Sequence, residues 1–249
     1  MKISIITAVY NAEDTVIEAI NSVARQSYPD IEHLIIEGKS KDKSMERIKS
    51  AMHDRMSITS AQDNGIYDAF NKGITQATGD VVGFVHSDDY LSNTDVIKHI
   101  AEAFSGHDVS AVFGDLDYVS QFDTSQVVRR WATGPYKPNS LKRGWMPAHP
   151  TLYVRKQSYE RLGLFDTNFK ICADYDFILR LFSDLQGQSI YLSKVLYKMR
   201  LGGISNRNLS TIKLKMEEDY LAIKRNKVGG FGALACKNLS KLGQFLPSK

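Results

Sequence analysis

The chain has 249 residues, 43% of them hydrophobic, which is enough for one large α/β domain or two small ones and excludes a globally disordered chain. Two cysteines, Cys172 and Cys236, are too few for a disulfide framework or a thiolate zinc site and suit a reducing cytosol, and no apolar run approaches the roughly 18 to 20 residues that cross a bilayer. The formal net charge of +4 belongs to the C-terminus, where residues 211–249 carry eight Lys and Arg against three Asp and Glu.

In chain order, the N-terminus is apolar only from Ile3 to Val9, lacks the long apolar stretch of a signal peptide, and reads as a first strand, Lys2 to Val9. Asn11 is placed to cap a helix whose apolar positions Val16, Ile17, Ile20 and Val23 recur at three- and four-residue steps. A strand Glu32 to Ile36, a helix from about Asp42, a strand Met56 to Ser60, a helix Ile66 to Ala77 and a buried strand Val81 to Val85 follow. A helix Thr94 to Phe104 and a strand Val109 to Phe113 complete a first half of βαβ units building a parallel sheet. From Asp115 to Pro150 the pattern loosens into what reads as loops, with Tyr136 and Trp145 among their aromatics. A short strand Thr151 to Val154, helices Lys156 to Leu162 and Ala173 to Phe182, and a strand Ile190 to Tyr197 come next. The last residues read as a helix with Ile212, Met216, Tyr220 and Ile223 on one face, a glycine break at Gly229-Gly230, and a basic amphipathic end.

Several common templates fail. No glycine follows the first strand, where Thr7-Ala8-Val9-Tyr10-Asn11 stands instead of a dinucleotide-binding turn. Gly38-Lys39-Ser40 resembles the end of a phosphate-binding loop, but His33 occupies the position of its first glycine. Hydrolase elbows and zinc-protease helices are absent, and the basic excess is not interleaved with aromatics in the way nucleic-acid binding requires, so no nucleic-acid partner is expected. Lys237, Lys241 and Lys249, interleaved with Leu239, Leu242 and Phe245, instead suggest loose contact with the inner face of the cytoplasmic membrane.

What remains is a set of acids just past strand ends, where open α/β sheets bind ligands: Glu37, Asp63, and the pair Asp88-Asp89. Two adjacent carboxylates behind an apolar strand repel each other unless a cation sits between them. Hard oxygen ligands suit Mg²⁺ or Mn²⁺, which commonly bind together with substrate phosphates, so a phosphorylated substrate is implied.

The runs Ile3 to Asn11, Ile35 to Asp42, Asp63 to Gly73, Ala77-Thr78-Gly79-Asp80, Ser87-Asp88-Asp89, Pro147 to Thr151, Gly163 to Asp166 and Ala173 to Arg180 together resemble the family 2 glycosyltransferases, in order and spacing, over about residues 1–205. The resemblance implies the GT-A fold, an α/β architecture with a mostly parallel central sheet and helices on both faces. A nucleotide-sugar half (1–115), an acceptor half (116–205) and a C-terminal helical tail (206–249) would divide the chain. It also implies a cytoplasmic enzyme transferring a sugar, with inversion, from a nucleotide-diphosphate donor to a glycan or lipid-linked acceptor in surface polysaccharide or lipopolysaccharide assembly. By the same resemblance, Thr7, Ala8, Tyr10, Asn11 and Glu37 would hold the nucleoside, with Glu37 standing where the family usually has Asp. Asp63 and Asp68 would shape the nucleotide pocket, and Lys72 would meet phosphate. With the family's D-x-D motif starting at Ser87, Asp89 becomes the metal ligand and Asp88 the ribose or neighbouring contact. Asp174 would be the catalytic base, taking the proton of the attacking hydroxyl, while Asp176, about 200° further round the helix, faces elsewhere. His149 and Arg180 would contact acceptor or diphosphate. A sugar-1-phosphate nucleotidyltransferase and a non-catalytic nucleotide-sugar binder are the alternatives; the first would want a basic glycine-rich loop after the first strand, and the second would have no need of Asp174.

Overall fold

The computed structural model describes residues 1–106, 108–201 and 209–240. Its strands are β1 Ile3–Val9, β2 Ile31–Glu37, β3 Met56–Ser60, β4 Val81–Phe84, β5 Tyr90–Leu91, β6 Val109–Val119, β7 Val127–Trp131, β8 Tyr153–Arg155 and β9 Gln188–Arg200. The helices are α1 Val16–Ala24, α2 Ser44–Ser50, α3 Ile66–Gln76, α4 Val96–Ala103, α5 Lys156–Leu162, α6 Ala173–Ser183, α7 Leu209–Arg225 and α8 Phe231–Ser240. All the strands join one sheet in the order β3-β2-β1-β4-β8-β6-β9-β5, with β7 added beside β6.

β1 shows why the first half folds as the sequence predicts. Ile3, Ser4, Ile5, Ile6, Thr7 and Val9 are all buried, so both faces of the strand are covered, as expected of a parallel strand between helix layers. Parallel pairing sets Val9 level with Glu37 and Glu37 level with Ser60, while Ile6 pairs with Phe84. The carboxyl ends of β3, β2, β1 and β4 therefore open onto one edge. α3 packs across β1 and β2, burying Tyr67, Phe70 and Ile74.

Beyond β4 the sheet is mixed. β8 runs antiparallel to both β4 and β6, and β9 returns parallel to β6. Of the stretch expected to be loop, residues 115–119 instead continue β6 and residues 127–131 form its hairpin partner β7. Buried acids concealed it: Asp117 pairs with Arg130 at 2.8 Å, and Asp115 accepts the Thr133 amide at 2.9 Å and the Tyr191 hydroxyl at 2.8 Å.

The C-terminal helices pack against the rest of the chain: α7 lies on α6 and α8 on the turn at residues 141–143, with Ala222, Ile223, Ala233 and Leu234 buried. Of the residues expected on one face, Ile223 is buried and Ile212 and Met216 are exposed; Glu218 and Asp219 of α7 are buried as well. Lys237, expected on a membrane-facing surface, is 2% exposed and bonded to Asp219. Lys241, Leu242, Phe245 and Lys249 lie outside the described residues. Among those described, no helix is long and apolar enough to cross a membrane.

Glu32 ties the parallel strands together at their amino ends. Its carboxylate accepts the Thr78 and Gly79 amides and the Thr78 hydroxyl, and meets Lys2 at 3.1 Å. Burial would raise its pKa, but hydrogen bonds from Ser4, Thr78 and Lys2 prevail and hold it at about 2, below the ordinary 4.5. A depressed carboxylate stabilises the fold above its unfolded pKa and loses that contribution as pH falls through the folded one. Glu32→Gln is thus expected to lower the urea midpoint at neutral pH, and its deficit relative to wild type is expected to shrink between pH 4.5 and about 2.

Candidate active site

Three loops at the open edge are laced by short bonds. The Gly38 amide donates to Val9 O (2.9 Å) and the Ala61 amide to Glu37 O (3.0 Å). The Asn11 amide donates to the Ser40 hydroxyl at 3.0 Å, and Asn11 Oδ1 accepts the Lys41 amide at 2.8 Å. Asn11 sits at φ 51° and does not cap α1, which starts only at Val16. At Gly38 any Cβ would stand 2.4 Å from Asp63 Oδ2 and 3.4 Å from Tyr10 Cδ2, so a glycine is what lets the three loops close on one another.

Several residues expected to bind nucleotide support these loops. Thr7 is 0% exposed and its hydroxyl lies 3.0 Å from His33 Nε2, so it underlies the turn and faces away from the cleft. Glu37, buried too, accepts the Ser40 amide at 2.5 Å and the Ser60 hydroxyl at 2.6 Å. Burial pushes its pKa up, but these bonds outweigh it and hold the carboxyl below the usual range. Asp63 accepts the Gly65 amide at 3.1 Å. Asp68 accepts the Asn64 amide at 2.9 Å and pairs with Lys72 at 3.0 Å, while Lys72 also donates to Gln62 O at 2.8 Å. Ala8 is half-buried and Tyr10 is 55% exposed, open over the edge.

Past β4, His86, Asp88 and Asp89 each offer one ligand atom, all within 4.8 Å of one another. Asp89 is fully buried; Oδ1 accepts the Arg200 amide at 3.2 Å, Oδ2 has no hydrogen-bond partner, and His86 Nδ1 stands 3.9 Å from it. Burial first, and then the Asp88 charge, drive the Asp89 pKa well above the carboxylate range, against the pull of Arg200. Burial lowers the pKa of His86, against the opposing influence of Asp88 and Asp174. A neutral imidazole, an acid that resists ionisation and an orphaned buried oxygen make a donor set that a divalent cation would satisfy. The sequence assigns the metal to Asp89; the structure places ligand atoms of His86 and Asp88 beside it. Arg200 braces the group, its guanidinium bonded to Asp88 O and Glu18 and stacked 5.3 Å from the Tyr90 ring centroid.

His149 and Asp174 adjoin this cluster. His149 stands with its ring 5.6 Å from that of His86, and its Nδ1 lies 3.4 Å from Asp174 Oδ2. Asp174 Oδ1 accepts the Tyr67 hydroxyl at 2.9 Å. Arg180 does not join them: its guanidinium binds Asp176 at 2.9 Å and the carbonyls of Leu162, Gly163 and Leu164 at 2.7 to 3.1 Å. Its donors are spent on closing the loop after α5. A cavity of about 800 Å³ lined by Tyr28, Asp80, Lys98, Glu102 and Arg155 opens at the amino ends of the strands, opposite the edge where such sheets bind ligands.

Residues 4–166 match the family described as Glycosyl transferase family 2. The chain belongs to that family. It is 27% identical over 208 residues to a PGL/p-HBAD biosynthesis glycosyltransferase of Mycobacterium tuberculosis, covering 82% of this chain and 78% of that protein. It is 32% identical over 185 residues to an uncharacterized glycosyltransferase of the same species, covering 72% and 68%. The crystal structure of S. aureus TarS 1-349 in complex with UDP-GlcNAc superposes with a TM-score of 0.69 at 20% identity, covering 90% of this chain and 66% of that one. The mannosyltransferase PcManGT from Pyrobaculum calidifontis in complex with GDP-Man and Mn²⁺ gives 0.67 at 15% identity, covering 98% and 72%. The fold of this family 2 glycosyltransferase is GT-A.

Sequence reasoning missed His86, Tyr67 and Arg200. His86 carries no mark as a ligand in the sequence, and the other two act through contacts more than 100 residues away in sequence. Because Arg180 offsets the buried Asp176, Arg180→Met should cost about 3 kcal/mol of stability in urea denaturation, while nucleotide affinity measured by calorimetry stays at the wild-type value.

Proposed function

We infer that this family 2 glycosyltransferase uses a nucleotide-diphosphate sugar and transfers the sugar, with inversion, to an acceptor hydroxyl deprotonated by Asp174. The observation that carries the reading is Asp174 itself: a carboxylate oriented by Tyr67 and set beside His149, with the His86–Asp88–Asp89 donor set on the far side of the two histidine rings. Inversion fits a single carboxylate poised to take a proton from an acceptor attacking opposite the leaving group. The donor class rests on the relatives in structure, one in complex with UDP-GlcNAc and one with GDP-Man and Mn²⁺.

His86, Asp88 and Asp89 would hold Mn²⁺ or Mg²⁺, with the imidazole nitrogen favouring Mn²⁺. When bound, the ion would supply positive charge against the departing nucleotide diphosphate. Tyr10 and the loop at Gly38 to Lys41 would line the nucleoside subsite, with Glu37, Asp63, Asp68 and Lys72 keeping that loop and its neighbour in place. His149, between Asp174 and His86, is placed to contact the sugar or the acceptor.

The test is a thermal-shift screen of UDP, GDP, TDP and CMP with Mn²⁺, followed by turnover of the matching sugar donor. Asp174→Asn should lose about a hundredfold or more in kcat while still binding nucleotide. Asp88→Asn and EDTA should each abolish the nucleotide-induced shift as well as turnover. Retained anomeric configuration in the product, or wild-type turnover by Asp174→Asn, would refute the assignment.

A peripheral contact with anionic lipid would use a surface other than the one the sequence suggested. Exposed Ile212 and Met216 continue along α7 to Tyr220, which stacks on the exposed Phe231 at 4.5 Å, with Lys213 and Lys224 alongside. Such a face suits reversible binding at a membrane surface. Sedimentation with phosphatidylglycerol vesicles should fall for Met216→Ser/Phe231→Ser; equal sedimentation of variant and wild type would rule this contact out.

A further inference from the structure

Glu218 lies on α7, in the segment that reads from sequence as tail, yet it is 8% exposed and its carboxylate faces the start of α6. Its Oε1 accepts the Lys170 amide at 2.9 Å, and its Oε2 accepts the amides of Ile171 and Cys172, each at 2.9 Å. Those three residues lead directly into α6, whose second residue is Asp174. Ile171 is held from both sides, because its carbonyl meets the Tyr67 hydroxyl that also bonds Asp174.

α8 grips the same region from another direction. The Lys237 ammonium sits 3.4 Å from the centroid of the Tyr175 ring, next in sequence to Asp174, and is paired with the buried Asp219 of α7. The backbone of Lys237 also abuts Gly144, where a Cβ would lie 2.3 Å from Lys237 N. Gly144 adopts φ 75° at the head of the loop that ends in His149, so the close approach and the left-handed backbone both call for glycine. The two C-terminal helices thus bear on both groups of the acceptor side, Asp174 through residues 170–175 and His149 through the loop at residues 144–149.

The geometry points to Glu218 as a positioning residue for the Asp174 carboxylate, with the Lys237–Asp219 pair as a second tie that holds α7 and α8 against the acceptor side of the site. A charged acceptor taking three backbone amides is a strong, directional restraint, and it is spent here on three residues in irregular backbone outside any helix or strand. Such restraint matters for a base, since misplacement on the order of 1 Å can cost about a hundredfold in rate. This inference rests on the assignment of Asp174 given above.

Glu218→Gln replaces one acceptor oxygen by an amide nitrogen that opposes a backbone N–H. It is expected to lower kcat about tenfold or more with KM for the donor within about twofold of wild type. Hydrogen exchange at the amides of residues 170–172 should rise while that of β1 and β2 is unchanged. Glu218→Asp, which keeps the charge with a shorter reach, should recover part of kcat. The double variant Lys237→Met/Asp219→Asn removes the second tie without stranding a buried charge, and it should show the same fall in kcat at constant donor KM. Wild-type kcat in either folded variant, or a fall in kcat matched by weaker donor binding and faster exchange throughout the sheet, overturns the inference. A wild-type protein that turns over no nucleotide sugar, or an Asp174→Asn variant that turns over normally, overturns the underlying assignment instead.

Discussion

Seven consecutive pairs join β1 to β2, and β3 and β4 continue the same parallel alignment, so β1, β2 and β3 end level at Val9, Glu37 and Ser60 while β4 ends beside Ile6, facing the same way. Slippage by one residue would turn the apolar residues of a strand to the wrong face, and with both faces of β1 buried there is no face that tolerates it. Level strand ends bring the loops at residues 10–12, 38–41, 61–65 and 85–89 to one edge, where acidic side chains accumulate. Each acid then has to be neutralised or solvated. Glu37 is satisfied by Ser40 and Ser60, Asp63 by the Gly65 amide, and Asp68 by Lys72 and the Asn64 amide. Among the described residues, Asp89 is the acid left with a buried oxygen that nothing bonds. Sorting the acids by how their charge is met separates those that build the edge from those that await a ligand.

Much of the first half was legible because its physics is local. Parallel strands covered on both faces read as apolar runs, and α1, α3 and α4 show their buried stripes at helical spacing. Legibility failed where polar groups are buried and satisfied by distant partners. Asp115 and Asp117 made β6 look like loop, although both are bonded inside the sheet. Glu218, Asp219 and Lys237 made α7 and α8 look like a solvated tail, although they are among its most buried side chains. Arg180 looked like a phosphate contact, but the carbonyls it serves, in the loop after α5, are recognisable only once the chain has folded.

The site divided along the same line. That acids follow strand ends could be read directly, whereas Asp174 at the opening of α6 was marked only by the family resemblance. Which acid does what could not, because the answer depends on burial and partners: Thr7 turned inward to His33, Asp89 sank beneath the cleft, and His86 rose into the cluster. A histidine two residues ahead of an acid has no intrinsic signature as a ligand. Its meaning comes from the unpartnered Asp89 oxygen that the fold places beside it.

The residues matching the family end at Asp166, eight positions before Asp174. The matched part contains the parallel edge, the His86–Asp88–Asp89 cluster and Tyr67, and it stops short of α6, α7 and α8. Asp174 is nevertheless fixed by groups from both parts: Tyr67 of α3 bonds its side chain, and Glu218 of α7 holds the backbone leading into it. Asp174, anchored in this way, takes its position relative to the carboxyl edge of the parallel strands from the matched part, and relative to the loop at Gly144 to His149 from the C-terminal helices. α7 and α8 therefore bear on the placement of Asp174 and of the loop that ends in His149, and one tether in that arrangement is Glu218, a buried carboxylate bonded to three backbone amides.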